Sequence, residues 1–301
     1  SDRHPPDRRR MTAHTRRQNE KESAVNTPAI PTVTLNNGIE MPQLGYGVFQ
    51  VPDAETTDAV AAALDAGYRS IDTAAVYGNE AGVGRAIADS GIARDELFIT
   101  SKVWISDHGF DATLRACDAS LERLGLESLD LYLIHWPTPA LATYPETWRA
   151  LERLYADGRV RAIGVSNFEP EHLERLASEG GVVPAVNQVE LHPALQNRAV
   201  AAANAQRGII TEAWSPLAQG AVLGDGSVIE IADRHGKTPA QIVLRWHLQQ
   251  GRVVIPKSVT PARIAENLDV FGFELSADEL AAVDLLERDG RTGPHPAEFN
   301  G

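Results

Sequence analysis

The chain has 301 residues, of which 43% are hydrophobic and 23% are charged, a composition typical of a soluble globular protein with a large core. Its net charge of −13 disfavours a nucleic-acid partner, because phosphate contacts need clustered lysine and arginine. A single cysteine, Cys117, excludes an intramolecular disulfide and favours a reducing compartment, so we expect a cytoplasmic protein. No apolar run is long enough to span a membrane.

Residues 1–28 are polar and rich in arginine, and we expect them to form a disordered tail. They lack the apolar core of a secretory signal, and no apolar stretch follows Arg16-Arg17, as a twin-arginine signal would require. A natural start at Met11, with residues 1–10 added upstream, is an alternative that the sequence leaves open. Residues 29–301 are predicted to form one folded domain.

The first predicted element of that domain is a β-hairpin over residues 32–42, where Asn36-Asn37-Gly38 is a turn signal. Strand-like and helix-like stretches then alternate to nearly the end of the chain. The predicted strands cover residues 43–48, 68–74, 96–103, 129–136, 160–167, 184–191, 209–215 and 253–258. The predicted helices cover residues 53–67, 80–91, 111–125, 144–158, 169–180, 197–208, 227–236, 238–251, 260–272 and 276–290.

Eight strand–helix units with short apolar strands predict a (β/α)₈ TIM barrel, with the N-terminal hairpin and an extra C-terminal helix added to it. A doubly wound open sheet is the alternative. Helix starts support the assignment, because Thr238-Pro239 and Thr260-Pro261 resemble N-caps followed by proline, and Ser276 with Glu279 resembles a capping box.

The active site of such a barrel lies at the carboxyl ends of its strands. The residues at the predicted strand ends are Gly47, Asp72, Lys102, His135, Asn167, Gln188, Trp214 and Lys257. An acid, an ammonium group and an imidazole therefore come from consecutive strands to one rim. Tyr77 lies in the loop that follows Asp72.

These residue types suit the reduction of a carbonyl group. Lys102 at an inner strand end needs a counter-charge, which Asp72 on the neighbouring strand can supply. A nearby ammonium group lowers the pKa of a phenol, so Tyr77 is predicted to be a proton donor. His135 can hold a substrate oxygen by a hydrogen bond. A purely structural ion pair between Lys102 and Asp72 is the alternative interpretation.

The sequence resembles the aldo-keto reductases over nearly all of residues 30–290. The matching stretches, in order, are GYRSIDTAAVYGNE, ITSKVW, YLIHWP, IGVSNF, NQVELHP and IPKSVTPARIAEN. This resemblance implies a (β/α)₈ barrel, NADPH-dependent reduction of aldehydes and ketones, and the catalytic tetrad Asp72, Tyr77, Lys102 and His135. Since the family's double-bond reductases carry glutamate where this chain has His135, the resemblance implies reduction of carbonyls.

The resemblance also implies a set of cofactor-binding residues. Ser166, Asn167 and Gln188 match contacts to the nicotinamide carboxamide, and Trp214 replaces a stacking tyrosine, as in the bacterial 2,5-diketo-D-gluconate reductase branch. Lys257, Ser258 and Arg263 match the 2′-phosphate site, and Glu266 and Asn267 match the adenine contacts, although the two cations could also be ordinary surface residues. The other predicted cofactor-binding residues are Gly47, Val48, Phe49, Asp72, Ser215, Leu217 and Val259.

Two glycine-rich stretches, residues 45–50 and 78–84, are incomplete dinucleotide-binding motifs and indicate nothing by themselves. No cluster has metal-ligand spacing, so we expect no catalytic metal. The predicted substrate pocket consists of Tyr46, Phe49, Tyr77, Trp104, His135 and Trp136, of which the aromatic residues could equally belong to the core. Because the segment after Gly290 is short, we expect an open pocket and small or polar carbonyl substrates, including α-dicarbonyls or keto-sugars.

Two other functions stay open at this point. One is a Schiff-base lyase with Lys102 as the nucleophile, which pairing with Asp72 disfavours because a paired ammonium group stays protonated. The other is a non-enzymatic relative that binds cofactor and partners, which the intact tetrad disfavours. We expect a monomer whose partner is a small carbonyl compound.

Overall fold

Eight parallel strands form the centre of the fold in the computed structural model, which describes residues 30–301. The tail predicted over residues 1–28 lies outside the described residues. The parallel strands, numbered after the two strands of the hairpin, are β3 (Tyr46–Gly47), β4 (Ser70–Asp72), β5 (Phe98–Val103), β6 (Leu129–Ile134), β7 (Val160–Ser166), β8 (Val186–Glu190), β9 (Ile210–Trp214) and β10 (Val253–Val254). They lie side by side in chain order.

The ring of strands closes between its first and last members. Leu44, just before β3, pairs in parallel with Val254 of β10. The backbone N–H of Gly45 donates to the carbonyl of Val254 at 2.9 Å, and the N–H of Gly47 donates to the carbonyl of Pro256 at 3.3 Å. These bonds join the two edges, so the predicted barrel is confirmed and the open doubly wound sheet is excluded.

Ten helices surround the described barrel. They are α1 (Asp53–Ala66), α2 (Glu80–Asp89), α3 (Phe110–Leu124), α4 (Tyr144–Ala156), α5 (Pro170–Glu179), α6 (Arg198–Gln206), α7 (Gly226–His235), α8 (Pro239–Gln249), α9 (Pro261–Leu268) and α10 (Ala277–Asp284). The predicted extra C-terminal helix is α10, although it ends earlier than expected. The N–H groups of Arg288 and Gly290 donate to the carbonyl of Ala194 after β8, which draws the chain away from the helical path.

All three predicted helix starts are formed, and two of them have a side-chain cap. Thr238 and Ser276 each accept a hydrogen bond from the backbone three residues on, in full capping boxes. The hydroxyl of Thr260 makes no such bond, and its backbone N–H instead donates to the Ser258 hydroxyl at 3.1 Å. The start of α9 is therefore tied to the loop that precedes it.

The hairpin closes the amino-terminal end of the barrel. Its strands β1 (Thr32–Thr34) and β2 (Glu40–Pro42) pair antiparallel. Leu35 and Met41 pack there with Phe98 and with inward-facing apolar residues of β6, including Leu131. A second, larger core lies between the strands and the helices. Because the hairpin covers one end of the barrel, polar side chains inside it are reached from the other, carboxyl end.

None of the helices within residues 30–301 combines the length and the apolarity that a membrane crossing requires.

Candidate active site

An ion pair between Asp72 and Lys102 lies inside the carboxyl end of the barrel. Lys102 Nζ is 2.6 Å from Asp72 Oδ1 and donates a second hydrogen bond to the carbonyl of Thr73 at 2.9 Å. The Lys102 side chain is fully buried, and Asp72 is 3% exposed. Burial lowers the pKa of Lys102, but the charge and hydrogen bond of Asp72, together with the charges of Tyr77 and Glu212, outweigh burial and raise the pKa above its ordinary value. Lys102 therefore stays a cation.

Tyr77 lies above this ion pair on a short 3₁₀ turn, Ala75–Tyr77. Asn79 fixes the loop, since its side-chain amide donates to the carbonyls of Val48 and Val51 and its Oδ1 accepts from the Thr73 hydroxyl. The Lys102 ammonium group lies 5.2 Å from the centre of the Tyr77 ring. The structure thus brings the phenol and the ammonium group into the same small space.

The net pKa of Tyr77 differs from the expectation drawn from the sequence. Burial of the phenol raises its pKa above the ordinary value of 10, and this effect exceeds the lowering by Lys102. The prediction that Lys102 brings the pKa below its ordinary value is therefore wrong for the net shift. Lys102 still stabilises the phenolate relative to the same buried site without a cation.

His135 follows β6 and completes the group of polar side chains. Its ring centre is 5.6 Å from that of Tyr77. Burial, followed by the charge of Lys102, holds the pKa of His135 well below its ordinary value, so the imidazole is neutral. Its Nδ1 is buried without a hydrogen-bond partner among residues 30–301. A neutral imidazole can donate one hydrogen bond and carry no charge into the site.

Ser166, Asn167, Gln188 and Trp214 meet on the side of the barrel opposite β4. The Asn167 amide donates to the carbonyl of His135 at 3.0 Å and accepts from the Trp214 indole at 2.8 Å. Ser166 Oγ donates to the backbone carbonyl of Gln188 at 2.7 Å. Asn167 adopts φ +62°, a left-handed conformation that asparagine tolerates. These bonds fix the indole of Trp214, which remains partly exposed, as one wall of the mouth.

Gln188 orients its side chain across the barrel. Its Nε2 donates to Asp72 Oδ2 at 2.8 Å and to Glu212 Oε2 at 2.9 Å. Both amide hydrogens are thereby used, while Oε1 receives no hydrogen bond within the described residues. A free carbonyl oxygen beside an aromatic wall fits the carboxamide of a nicotinamide ring.

The residues predicted to bind a phosphate group lie between β10 and α9. Lys257 and Arg263 are exposed, and neither forms an ion pair within residues 30–301. The remaining predicted contacts of this segment also lie here, Ser258 and Val259 in the loop and Glu266 and Asn267 on α9. Exposed, unpaired cations beside a helix start suit a phosphate. This set of residues fits NADPH.

The other predicted cofactor-binding residues differ in their surroundings. Gly47 lies close to β10, and a Cβ there would come within 3.1 Å of the Ile255 carbonyl, a tight contact. The Val48 side chain is fully buried, and its N–H and carbonyl are both used, so it presents little to a ligand. Ser215 and Leu217 follow Trp214, with Ser215 at φ +51°.

Five of the six predicted substrate-pocket residues lie around the mouth. Phe49 packs on Tyr77 with ring centres 5.1 Å apart, and Trp104 packs on His135 at the same distance. Trp136 lies next to them through Phe299, whose ring centre is 4.5 Å away. The structure thus forms a continuous aromatic wall from these side chains.

Tyr46 is the exception among the predicted pocket residues. It is 1% exposed and packs edge-on against Tyr68 in the core between strands and helices. Its hydroxyl donates to the backbone carbonyl of Ser258. Residues of a strand alternate between its two faces, and Tyr46 takes the outer face, so it supports the predicted phosphate loop from behind.

The C-terminal segment reaches the mouth, which the sequence analysis did not expect. Phe299 packs on Trp136 and on Trp104, and a Cβ at Gly293 would lie 2.5 Å from the Trp214 ring. Glu190 holds the segment by accepting hydrogen bonds from the N–H groups of Thr292 at 2.6 Å and Gly293 at 3.0 Å. The mouth is therefore narrower than the predicted open pocket.

Two residues of the site, Phe299 and Glu212, were not predicted from the sequence. Phe299 stands alone near the chain end, outside any periodic element, and Glu212 is one of 41 acidic residues. Glu212 is 1% exposed, and burial raises its pKa to about 8. The sequence signal for Glu212 is its charge at an inward position of a predicted barrel strand.

Cys117 is fully buried, and burial raises its pKa to about 12, so it is an inert core residue. Within residues 30–301 there is no group of three or more histidine, cysteine, aspartate or glutamate side chains placed to hold a metal ion.

Comparison with known proteins shows which family the chain resembles. Residues 41–288 match the model of the aldo/keto reductase family. A glyoxal reductase from Bacillus subtilis is 54% identical over 269 residues, which cover 89% of this chain and 97% of that protein. A methylglyoxal reductase, DkgA, from Escherichia coli is 51% identical over 276 residues, covering 91% of this chain and all of that protein.

A solved structure agrees with the fold. The crystal structure of a mutant of Gox0644 in complex with NADPH superposes with a TM-score of 0.87 at 50% sequence identity. The superposition covers 90% of this chain and 99% of that one.

Proposed function

The chain belongs to the aldo/keto reductase family, and we propose that Asp72, Tyr77, Lys102 and His135 carry the reaction. It is an NADPH-dependent oxidoreductase that reduces the carbonyl groups of aldehydes and ketones. The observation that carries the assignment of residues is the position of Tyr77, between the buried ammonium group of Lys102 and the neutral imidazole of His135.

NADPH, when bound, supplies a hydride to the carbonyl carbon of the substrate. His135 donates a hydrogen bond to the carbonyl oxygen and orients it. Tyr77 transfers its proton to that oxygen as negative charge develops on it. Lys102 stabilises the resulting phenolate, and Asp72 keeps Lys102 charged and in place.

The proposed cofactor site extends from the mouth to the start of α9. Trp214 provides an aromatic surface for the nicotinamide ring, and the free Oε1 of Gln188 accepts from its carboxamide. Lys257 and Arg263 bind the 2′-phosphate by charge-assisted hydrogen bonds. Their exposure without an ion-pair partner among the described residues supports this assignment.

The preferred substrates are proposed to be small α-dicarbonyls such as glyoxal and methylglyoxal. Two relatives bear the names glyoxal reductase and methylglyoxal reductase. The wall of Phe49, Trp104, Trp136 and Phe299 supports the same proposal, because it narrows the mouth around Tyr77 and His135. Keto-sugars are the larger alternative, and the narrowed mouth disfavours them.

Steady-state oxidation of NADPH tests the substrate class. We expect kcat/KM for methylglyoxal and glyoxal to exceed that for a keto-sugar and for a bulky aromatic ketone. Phe299→Ala should raise kcat/KM for the bulky ketone more than for glyoxal. Leu285→Ala, a truncation at an 84% exposed position at the end of α10, is the control. A preference of the wild-type enzyme for the bulky ketone would contradict the proposal.

The Schiff-base mechanism is the second enzymatic alternative, and the geometry disfavours it. A Schiff base needs an uncharged amine, whereas Asp72 at 2.6 Å raises the pKa of Lys102. Treatment with borohydride in the presence of a dicarbonyl should therefore leave Lys102 unmodified. A covalent adduct on Lys102 in a mass spectrum would revive this mechanism.

Cytoplasmic location and a monomeric state remain predictions from the sequence. Sedimentation of the purified chain tests the second of them.

A further inference from the structure

Glu212 and Asp72 share one hydrogen-bond donor in the interior of the barrel. Gln188 and Glu212 are paired across β8 and β9, and the Gln188 Nε2 lies 2.9 Å from Glu212 Oε2. The same nitrogen lies 2.8 Å from Asp72 Oδ2, on the far side of the barrel. One neutral amide thus joins two buried carboxyl groups, one of which belongs to the catalytic ion pair.

The charges around Glu212 do not support two ionised carboxyl groups. The titratable groups that face it are Asp72 from β4, Lys102 from β5 and Tyr77 from the loop after β4. Lys102 makes its ion pair with Asp72, and within residues 30–301 no cation lies within 4 Å of Glu212. Two buried carboxylates with one cation would leave an uncompensated negative charge away from water. Since Asp72 holds the cation, Glu212 is the group that keeps a proton.

The effect of burial on Glu212 agrees with this count. Burial raises its pKa to about 8, the charge of Asp72 adds to the increase, and the Gln188 hydrogen bond and Lys102 oppose it. The carboxyl group therefore loses its proton just above neutral pH.

We propose that Glu212 is a positioning residue whose uncharged form fixes Gln188 against Asp72 and leaves the charge of Lys102 available to Tyr77. The proposal rests on the roles given above to Tyr77 and Lys102. Glu212 does not pass its proton to the substrate, because Tyr77 supplies the one proton that the alkoxide needs. When Glu212 ionises, its negative charge opposes the phenolate that forms on Tyr77, and carbonyl reduction slows.

The test is the pH profile of a single turnover with Glu212→Gln. Glutamine keeps an oxygen that can accept from Gln188 and has no proton to lose. Oxidation of bound NADPH by methylglyoxal is followed from neutral to alkaline pH, with each rate divided by the same variant's rate at neutral pH. The wild-type rate should fall about fivefold or more as the pH passes about 8, whereas the Glu212→Gln profile should stay level through that range.

A matched control separates this effect from a general loss of acidic charge. Glu230→Gln, at an exposed position on α7, should keep the wild-type pH profile. If Glu212→Gln also keeps the wild-type profile, the inference is overturned. Tyr77→Phe separates a failure of this inference from a failure of the proposed function. A Tyr77→Phe variant that still turns over would overturn the proposed function instead.

Infrared spectroscopy gives a readout that does not depend on activity. A protonated carboxyl group has a carbonyl stretching band that a carboxylate lacks. Wild-type holoenzyme should show such a band at neutral pH and lose it as the pH passes about 8. The Glu212→Gln holoenzyme should lack the band at every pH. If Glu212→Gln does not fold, titration of this band in the wild-type protein alone decides the question. Absence of the band from the wild-type spectrum at neutral pH would overturn the inference.

Discussion

Lys102 Nζ lies 2.6 Å from Asp72 Oδ1, and both side chains are almost wholly buried at the end of the barrel where Tyr77 is held. A buried ion pair is weak evidence of a stabilising role, because desolvation offsets the attraction between the charges. Here the cation also lies 5.2 Å from the centre of a phenol ring that is itself partly buried. We therefore interpret Asp72 as the group that holds the Lys102 cation in place beside the proposed proton donor, Tyr77.

Cofactor selectivity should depend on Lys257 and Arg263. We expect the Lys257→Ala/Arg263→Ala variant to lose NADPH affinity and to keep NADH affinity, because only NADPH carries the 2′-phosphate. Charge-assisted hydrogen bonds contribute roughly 1.5–3 kcal/mol each. Titration of both cofactors by quenching of protein fluorescence measures the two dissociation constants.

Arg115→Ala, which removes an exposed positive charge on α3, is the control for that experiment. It should leave both dissociation constants unchanged. Equal weakening of NADPH and NADH in the double variant would mean that Lys257 and Arg263 do not recognise the 2′-phosphate.

Tyr46 should influence the same selectivity from behind the loop. Its hydroxyl donates to the Ser258 carbonyl, so Tyr46→Phe frees the loop that carries Lys257. One such hydrogen bond contributes about 0.5–1.5 kcal/mol, which corresponds to a few-fold loss of NADPH affinity. NADH affinity should change less. Tyr155→Phe on α4, scored by the same fluorescence titration, is the control, and an equal effect of the two variants would show that Tyr46 has no particular role.

His135 should direct the reaction to carbonyl groups. A neutral imidazole offers a hydrogen bond to the carbonyl oxygen without acting as a strong acid toward an enolate-like oxygen. An α,β-unsaturated aldehyde with excess NADPH should therefore give mainly the allylic alcohol. Gas chromatography of the products identifies them, and a saturated aldehyde as the main product would be inconsistent with the role of His135.

The stability of the fold should depend on pH through Glu212. Its pKa is about 8 in the folded protein against an ordinary value of 4.5, so between these values the folded state binds a proton that the unfolded state lacks. This contribution is fully present below about 4.5 and is lost as the pH rises through about 8. Glutamine does not titrate, so the unfolding free energy of Glu212→Gln should fall less over this window.

Urea denaturation of both proteins at a series of pH values measures this difference. Glu230→Gln should show the wild-type dependence. Parallel curves for wild type and Glu212→Gln would mean that Glu212 does not titrate in this range.

The barrel was predictable because its signals are local. Apolar strands, helix caps such as Thr238 and Ser276, and a turn at Gly38 each specify structure within a few residues. The grouping of Asp72, Lys102 and His135 followed from the fold, since carboxyl ends of parallel strands share one rim.

Other parts of the site depend on contacts between residues that are far apart in the sequence. Phe299 meets Trp136 in a C-terminal segment that Glu190 and Ala140 hold through hydrogen bonds to Thr292 and Asn300. Tyr46 faces the helices because the register of β3 decides which face of the strand it occupies. β3 has only two residues, too few for an alternating pattern of side chains to show that face in the sequence. The net pKa of Tyr77 depends on burial, which the sequence does not give.

Single-turnover kinetics of Tyr77→Phe measure whether the Tyr77 hydroxyl gives its proton to the substrate. The substitution keeps the ring that packs on Phe49 and His135 and removes the hydroxyl proposed to give its proton to the substrate. We expect oxidation of bound NADPH by methylglyoxal to slow by about two orders of magnitude or more, while the dissociation constant of NADPH stays near the wild-type value. Tyr155→Phe should behave as wild type. A Tyr77→Phe enzyme that oxidises bound NADPH at close to the wild-type rate would contradict the account.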